Sequence, residues 1–250
     1  MAKTYKNPPL LEAVCEFRFV TDGDYSAEQV TSFYEMIKGS FPIQKKGKVN
    51  KLEFRIDTEK TPEENKDSIS QGFYEFEHYF SEDEKYSIQL DGGRVSIHRI
   101  KPYQAWSQFF PLIQSVYGAY LEAFKPKEIA RIGVRYINEI VLPADDFLFS
   151  DYFTLSASLP SLEESSPQSI FLGSSFAQEG GRDAIKVQFG DKQLPEETTN
   201  KAFVLDLDYS LVTPTVALEA VDEWLTTAHT NLENVFEGIV TEKAKQFFDK

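Results

Sequence analysis

The sequence predicts an α+β fold, mostly antiparallel sheet in two similar halves, each covered by a long helix. Three observations carry that expectation. Two segments, Leu10–Val20 and Arg131–Ile140, alternate apolar and charged residues at period two, as half-buried strands do. Two others, Trp106–Phe124 and Leu218–Ile239, repeat apolar residues every three or four positions, the pattern of a helix with one apolar face. The order strand, intermediate segment, several strands, long helix then occurs twice, over residues 1–126 and 127–250, although the halves share no residue-by-residue identity. Sheet packed under helices in one compact unit is the layered solution for such elements.

Each element has a local reason. Asn7-Pro8-Pro9 is stiff and extended, and it leads into a strand with Leu11, Ala13, Cys15, Phe17 and Phe19 on one side. Glu12, Glu16 and Arg18 fall on the other. Asp22-Gly23-Asp24 reads as a turn. Ser26 is placed to cap a helix, with Gln29 completing a capping box and Val30, Phe33, Tyr34, Ile37 and Phe41 forming the apolar stripe; Gly39 and Pro42 close it. Lys45–Lys51 is a basic stretch that reads as a solvated hairpin tip. Strands follow over Leu52–Asp57, Phe73–Phe80 and Tyr86–Ile100, the last broken by the turn Asp91-Gly92-Gly93, with a polar connection over Thr58–Ser70.

Lys101-Pro102 is expected to open the first long helix, since proline is tolerated in a first turn, and Pro111 to kink it. The central strand comes next, with Ile132, Val134, Tyr136 and Ile140 behind and Arg131, Arg135 and Glu139 in front. Ala144–Ser169 reads as a partly helical segment running into a Ser/Pro/Glu-rich loop. Strands resume at Ile170–Gln178, Ala184–Phe189 and Ala202–Tyr209, joined by a Gly180-Gly181 hairpin and a polar loop over Asp191–Asn200. Thr213-Pro214 is expected to start the last long helix, Gly238 to interrupt it and Thr241 to restart a short tail.

Composition narrows the function by exclusion. A net charge of −14 argues against a broad grip on nucleic acid or anionic lipid, because both need a basic face. The simplest reading of the acidity is solubility, and the sharper alternatives are attraction to a basic protein partner or mimicry of nucleic acid. The single cysteine, Cys15, excludes an internal disulfide and any multi-cysteine zinc site. No secretory leader follows Met1, and no window reaches the ~20 apolar residues of a membrane span. The expectation is a cytoplasmic protein. Its core stock, 21 Phe and 12 Tyr against two Met, is stiff and bulky.

A search for chemistry yields one cluster. His78, His98 and His229 have no metal-ligand spacing, although the first two fall in consecutive predicted strands and could approach one another. Asp206-x-Asp208 could bind a cation but reads more simply as a solvated strand face. Cys15 reads as an inert buried thiol, and Gly92-Gly93 and Gly180-Gly181 precede no helix that would cradle a phosphate. If the two lead strands lie side by side, Glu12, Glu16 and Arg18 meet Arg131, Arg135 and Glu139. Such a cluster is either a self-neutralising network or an anion pocket in which the guanidinium forks take a carboxylate or phosphate. Asn138 and Tyr136 would add neutral hydrogen bonds at its margin, Tyr136 only across a bulge.

The opening Asn7-Pro8-Pro9-Leu10-Leu11-Glu12 and the later Arg135-Tyr136-Ile137-Asn138 resemble a sporadically distributed bacterial family. Its members begin with a Pro-Pro-Leu-x-Glu strand and carry a mid-chain Arg-Tyr-x-Asn segment, and the likeness spans essentially the whole chain. No biochemical function is attached to that family. The resemblance therefore implies a bacterial origin and a setting among accessory or defence-linked genes, and it carries over no catalytic residue. The resulting expectation is a non-enzymatic accessory or regulatory protein acting through protein contacts, with no cofactor and no metal. The alternative is a sensor holding a small anionic ligand between the halves at Glu12, Glu16, Arg18, Arg131, Arg135, Asn138 and Glu139.

Overall fold

The two alternating segments become neighbouring strands at the centre of a sheet. In the computed structural model, which describes residues 5–21, 23, 25–54, 69–102, 105–155, 169–195, 198–213 and 216–249, strand β1 (Leu10–Phe19) pairs antiparallel with the central strand, Ile129–Pro143. The described strands in chain order are β1, β2 (Ile43–Phe54), β3 (Ile69–Phe80), β4 (Tyr86–Asp91), β5 (Arg94–Ile100), β6 (Ile129–Pro143), β7 (Phe171–Gln178), β8 (Asp183–Lys192) and β9 (Asn200–Leu211). They form one nine-stranded antiparallel sheet in the order β2-β3-β4-β5-β1-β6-β9-β8-β7. The helices are α1 (Ala27–Ile37), α2 (Trp106–Phe124), α3 (Phe149–Tyr152), α4 (Val221–Ile239) and α5 (Glu242–Lys245), so the fold is α+β.

Register explains which side chains are buried. Cys15 stands opposite Val134 and Phe17 opposite Ile132, all turned to the helices and fully buried. Phe17 stacks on Tyr117 with ring centres 4.9 Å apart and Phe19 on Tyr120 at 4.3 Å, both partners coming from α2. A bulge at each end of the β1–β6 ladder adjusts the pattern. Leu11 is the extra residue at one end, so Leu10 rather than Leu11 enters the core. Helix α2 packs on α1 and β5, and α4 on β6 and β9. Under α4 the carboxylate of Asp183 is wholly buried. It accepts from Trp224 Nε1 at 2.9 Å, Tyr209 Oη at 3.1 Å and Arg182 Nη2 at 2.6 Å, which offsets the cost of taking a charge out of water.

Several expectations change. The basic stretch Lys45–Lys51 is not a hairpin tip but lies within edge strand β2, where Lys46 and Lys48 pair across the ladder with Glu77 and Glu75. Helix α2 starts at Trp106 instead of Pro102, because Lys101 N–H still extends the sheet to Leu11 O at 2.8 Å and the Pro102 carbonyl accepts from Arg99. It then runs unbroken through Pro111 and ends at Lys125, whose φ of 48° is left-handed. Helix α4 begins at Val221, since the N–H groups of Val212 and Thr213 are held by Arg182 O. It passes through Gly238 without interruption, and Thr241 caps the separate α5. The capping box of Ser26 and Gln29 is formed on both sides. The residues expected to complete the turn at 22 and 24, the end of the strand expected over 52–57, most of the connection over 58–70, and the Ser/Pro/Glu tract at 156–168 lie outside the described residues.

Truncating Phe17 removes a ring held between the sheet and α2, and Phe17→Ala is expected to cost about 3–5 kcal/mol. Arg18→Ala, one residue along on the open face, should cost about 0.5 kcal/mol or less. Urea denaturation followed by circular dichroism measures both.

Candidate functional site

The face of the sheet opposite the helices collects the charges. β1 contributes Glu12, Glu16 and Arg18; β6 contributes Arg131, Arg135 and Glu139; and β9, which pairs with β6, adds Asp206 and Asp208. Glu16 is the hub. Its Oε1 accepts from Arg131 Nη1 at 2.7 Å and from Arg18 Nε at 2.8 Å, and its Oε2 lies 3.7 Å from Arg94 Nη1. Arg131 also reaches Asp208 at 3.4 Å. Its guanidinium lies across Gly133, where a Cβ would sit 3.2 Å from Nη1, so the glycine in this strand makes room for the crossing. Arg135 forms a two-pronged pair with Asp206, at 2.8 and 2.5 Å.

Arg135 sits on top of its carboxylate partner. The Arg135 side chain is 47% exposed and that of Asp206 13%. Burial pushes the Asp208 carboxyl above its usual range, against the pull of Arg131 and Arg135. Glu12 joins a separate pair, accepting from His98 Nδ1 at 2.8 Å, and that hydrogen bond holds its carboxyl below the ordinary value. Glu139 pairs with Lys192 at the margin. Such a network can re-pair with charges on another surface. An anion drawn to Arg131 or Arg135 would compete with Glu16, Asp206 and Asp208 for the guanidinium groups.

One residue expected here, Asn138, faces the other way, and Tyr136 lies on the apolar side, where the alternation of its strand puts it. Asn138 is buried on the helix side, where its amide donates to Leu205 O at 3.1 Å; it shares the parity of Tyr136, and the β6–β9 ladder runs without a shift between them. Tyr136 Oη meets His229 Nδ1 at 2.8 Å, and His229 Nε2 lies 3.3 Å from Glu233. The imidazole stacks on Trp106 with ring centres 4.4 Å apart. His78 and His98 are not neighbours, because β4 runs between their strands. Cys15 is fully buried and its thiol is pushed up by desolvation. Among the described residues, no group of three or more His, Cys, Asp or Glu is placed to hold a metal ion.

Asp206 and Asp208, read from sequence as a solvated strand face, and His98, read there without a metal partner, prove to belong to the cluster, as does Arg94, which the sequence reading passes over. The alternation of Asp206 and Asp208 with Leu205 and Leu207 gives their face; only the pairing of β9 with β6 gives their partners. Comparison with protein-family models, with curated proteins and with solved structures gives no significant match.

Burial pushes His229 down to about 4, from an ordinary value near 6.5. Between those two values the unfolded chain binds a proton that the folded chain refuses, so stability falls as pH drops from about 6.5 and levels off below about 4. The loss from this one group should be about 3 kcal/mol. His229→Gln should flatten that part of the stability–pH curve, as read from urea midpoints of the two proteins between these pH values.

Proposed function

We propose that this chain is a non-enzymatic accessory or regulatory protein of a bacterial, defence-linked module, acting through protein contacts made by the ionic face of its sheet. The observation that carries the reading is the neutralised arrangement around Glu16, Arg131, Asp208, Arg135 and Asp206 on a broad, half-exposed strand surface. Exposed pairs of this kind contribute about 0–1 kcal/mol each to folding. Their lasting effect is a patterned field, which selects and orients a partner of complementary charge. The overall charge of −14 favours a basic partner.

The molecule also reads as two similar halves, 1–126 and 127–250, fused into one unit along β1 and β6. Supporting this, the sheet runs outward from that pair as β5-β4-β3-β2 on one side and β9-β8-β7 on the other. In each direction the strand beside the central pair leads in sequence to a long helix that packs back on it, α2 on β5 and α4 on β9. Under this reading the ionic cluster sits on the joint and belongs to both halves.

Affinity purification from the native bacterial host, with wild type and a Glu12→Lys/Glu139→Lys variant that reverses two carboxylates of the ionic face, tests the proposal. A partner enriched by wild type, lost in the variant and released by raised salt is the expected result, with the variant's circular dichroism unchanged. No enriched partner, or one indifferent to the reversal, overturns it. A thermal-shift screen of nucleotides and acidic metabolites separates the second reading: stabilisation that disappears in Arg135→Ala would assign the face to a small anionic ligand.

A further inference from the structure

The two edges of the sheet are built differently. At one edge, β2 carries Lys45, Lys46, Lys48 and Lys51, and the first three pair with Glu84, Glu77 and Glu75. Lysines along an edge strand discourage another strand from joining it. At the other edge stands β7, Phe171-Leu172-Gly173-Ser174-Ser175-Phe176-Ala177-Gln178, with neither a charge nor a proline. Among the described residues it pairs on one side only, with β8. In a chain that is 26% charged, an eight-residue edge strand with no charge is the exception.

Among the described residues, little covers its side chains. On the helix side Leu172, Ser174 and Phe176 stand opposite Phe189, Val187 and Ile185, continuing the core surface outward. Beside them a groove of about 480 Å³ runs between the strand and α4, walled by Leu155, Val235 and Ile239. Phe176 is 53% exposed there, and Phe171 on the opposite face is 73% exposed. The groove is apolar and, among the described residues, the strand next to it has an open hydrogen-bonding edge, which is the combination that strand addition uses.

We propose that β7 is a self-assembly edge, through which two copies of this chain join antiparallel into one continuous sheet. The sequence of the strand is self-complementary about a two-fold axis at Ser174. In that register Leu172 meets Phe176 of the second copy on the helix side, and Phe171 meets Ala177 of the second copy on the other. Gly173 meets Ser175 of the second copy, and the two Ser174 residues face each other. Apolar residues meet apolar ones and small residues sit at the axis, as an isologous contact requires. The neutral strand lets two copies, each at −14, approach without burying a charge.

Sedimentation velocity of the full chain over a concentration series should show a monomer–dimer equilibrium. Phe176→Lys should weaken association by about tenfold or more, with thermal midpoint and circular dichroism close to wild type. Facing residues across an antiparallel pair have Cα atoms about 4.5–5.5 Å apart, within disulfide reach. Ser174→Cys should therefore give a disulfide-linked dimer on mild oxidation and Ser175→Cys should not, while the buried Cys15 stays silent. Wild type that remains monomeric up to its solubility limit overturns the proposal. So does a dimer that survives Phe176→Lys and cross-links at Ser175→Cys rather than Ser174→Cys. A monomer that takes up an extended apolar peptide along β7 would assign the edge to a foreign strand and overturn self-pairing equally.

Discussion

The ladder between β1 and β6 is the constraint on which the rest of the structure depends. Its register, with Cys15 opposite Val134 and Glu16 opposite Gly133, sorts every side chain of the two strands onto a dry face or a wet one. A slip of one residue would send Glu16 and Arg18 under α2 and turn Phe17 and Phe19 to water. The bulges at Leu11 and Ala130 keep the dry face continuous where the ladder would otherwise run out of phase, delivering Leu10 and Ile129 to the core. Because β5 and β9 pair on the outer sides of β1 and β6, the same sorting passes to their neighbours.

The two faces do different work. The dry face is aromatic: Phe17, Phe19, Tyr117 and Tyr120 stack into a slab that holds α2 against the sheet. Burial of such rings supplies most of the stability, and their stiffness fixes the packing. Polar groups on this side are admitted where partners are at hand, as with Asp183 beneath Trp224 and Tyr209, or Asn138 against Leu205. The wet face contributes little to folding. Its charges are ordered all the same: Arg135 stands outward over the largely buried Asp206, and Arg131 bridges Glu16 and Asp208.

Those considerations separate three surfaces with three characters. The centre of the open face is ionic and balanced, which suits a transient, salt-sensitive contact. The β2 edge is lysine-lined and closed to further strands. The β7 edge is neutral, apolar and flanked by a groove, which suits a persistent contact between like chains. The contacts proposed for the ionic face and for β7 would use different faces and different chemistry, so neither would exclude the other.

Periodicity alone determined much of this protein. Alternation in Leu10–Val20 and Arg131–Ile140 identified the two central strands and their charged side, Ser26 with Gln29 located the start of α1, and the spacing of Phe109, Ile113, Tyr117 and Tyr120 oriented α2. Those features rest on interactions between residues near in sequence, so they are legible there. Tertiary structure decided the remainder. It placed Asp206 and Asp208 beside Arg135 and Arg131, set β4 between His78 and His98, and drew Lys45–Lys51 into an edge strand. Each of these depends on which strand lies beside which, a choice made by burying one continuous apolar face and invisible to any local pattern.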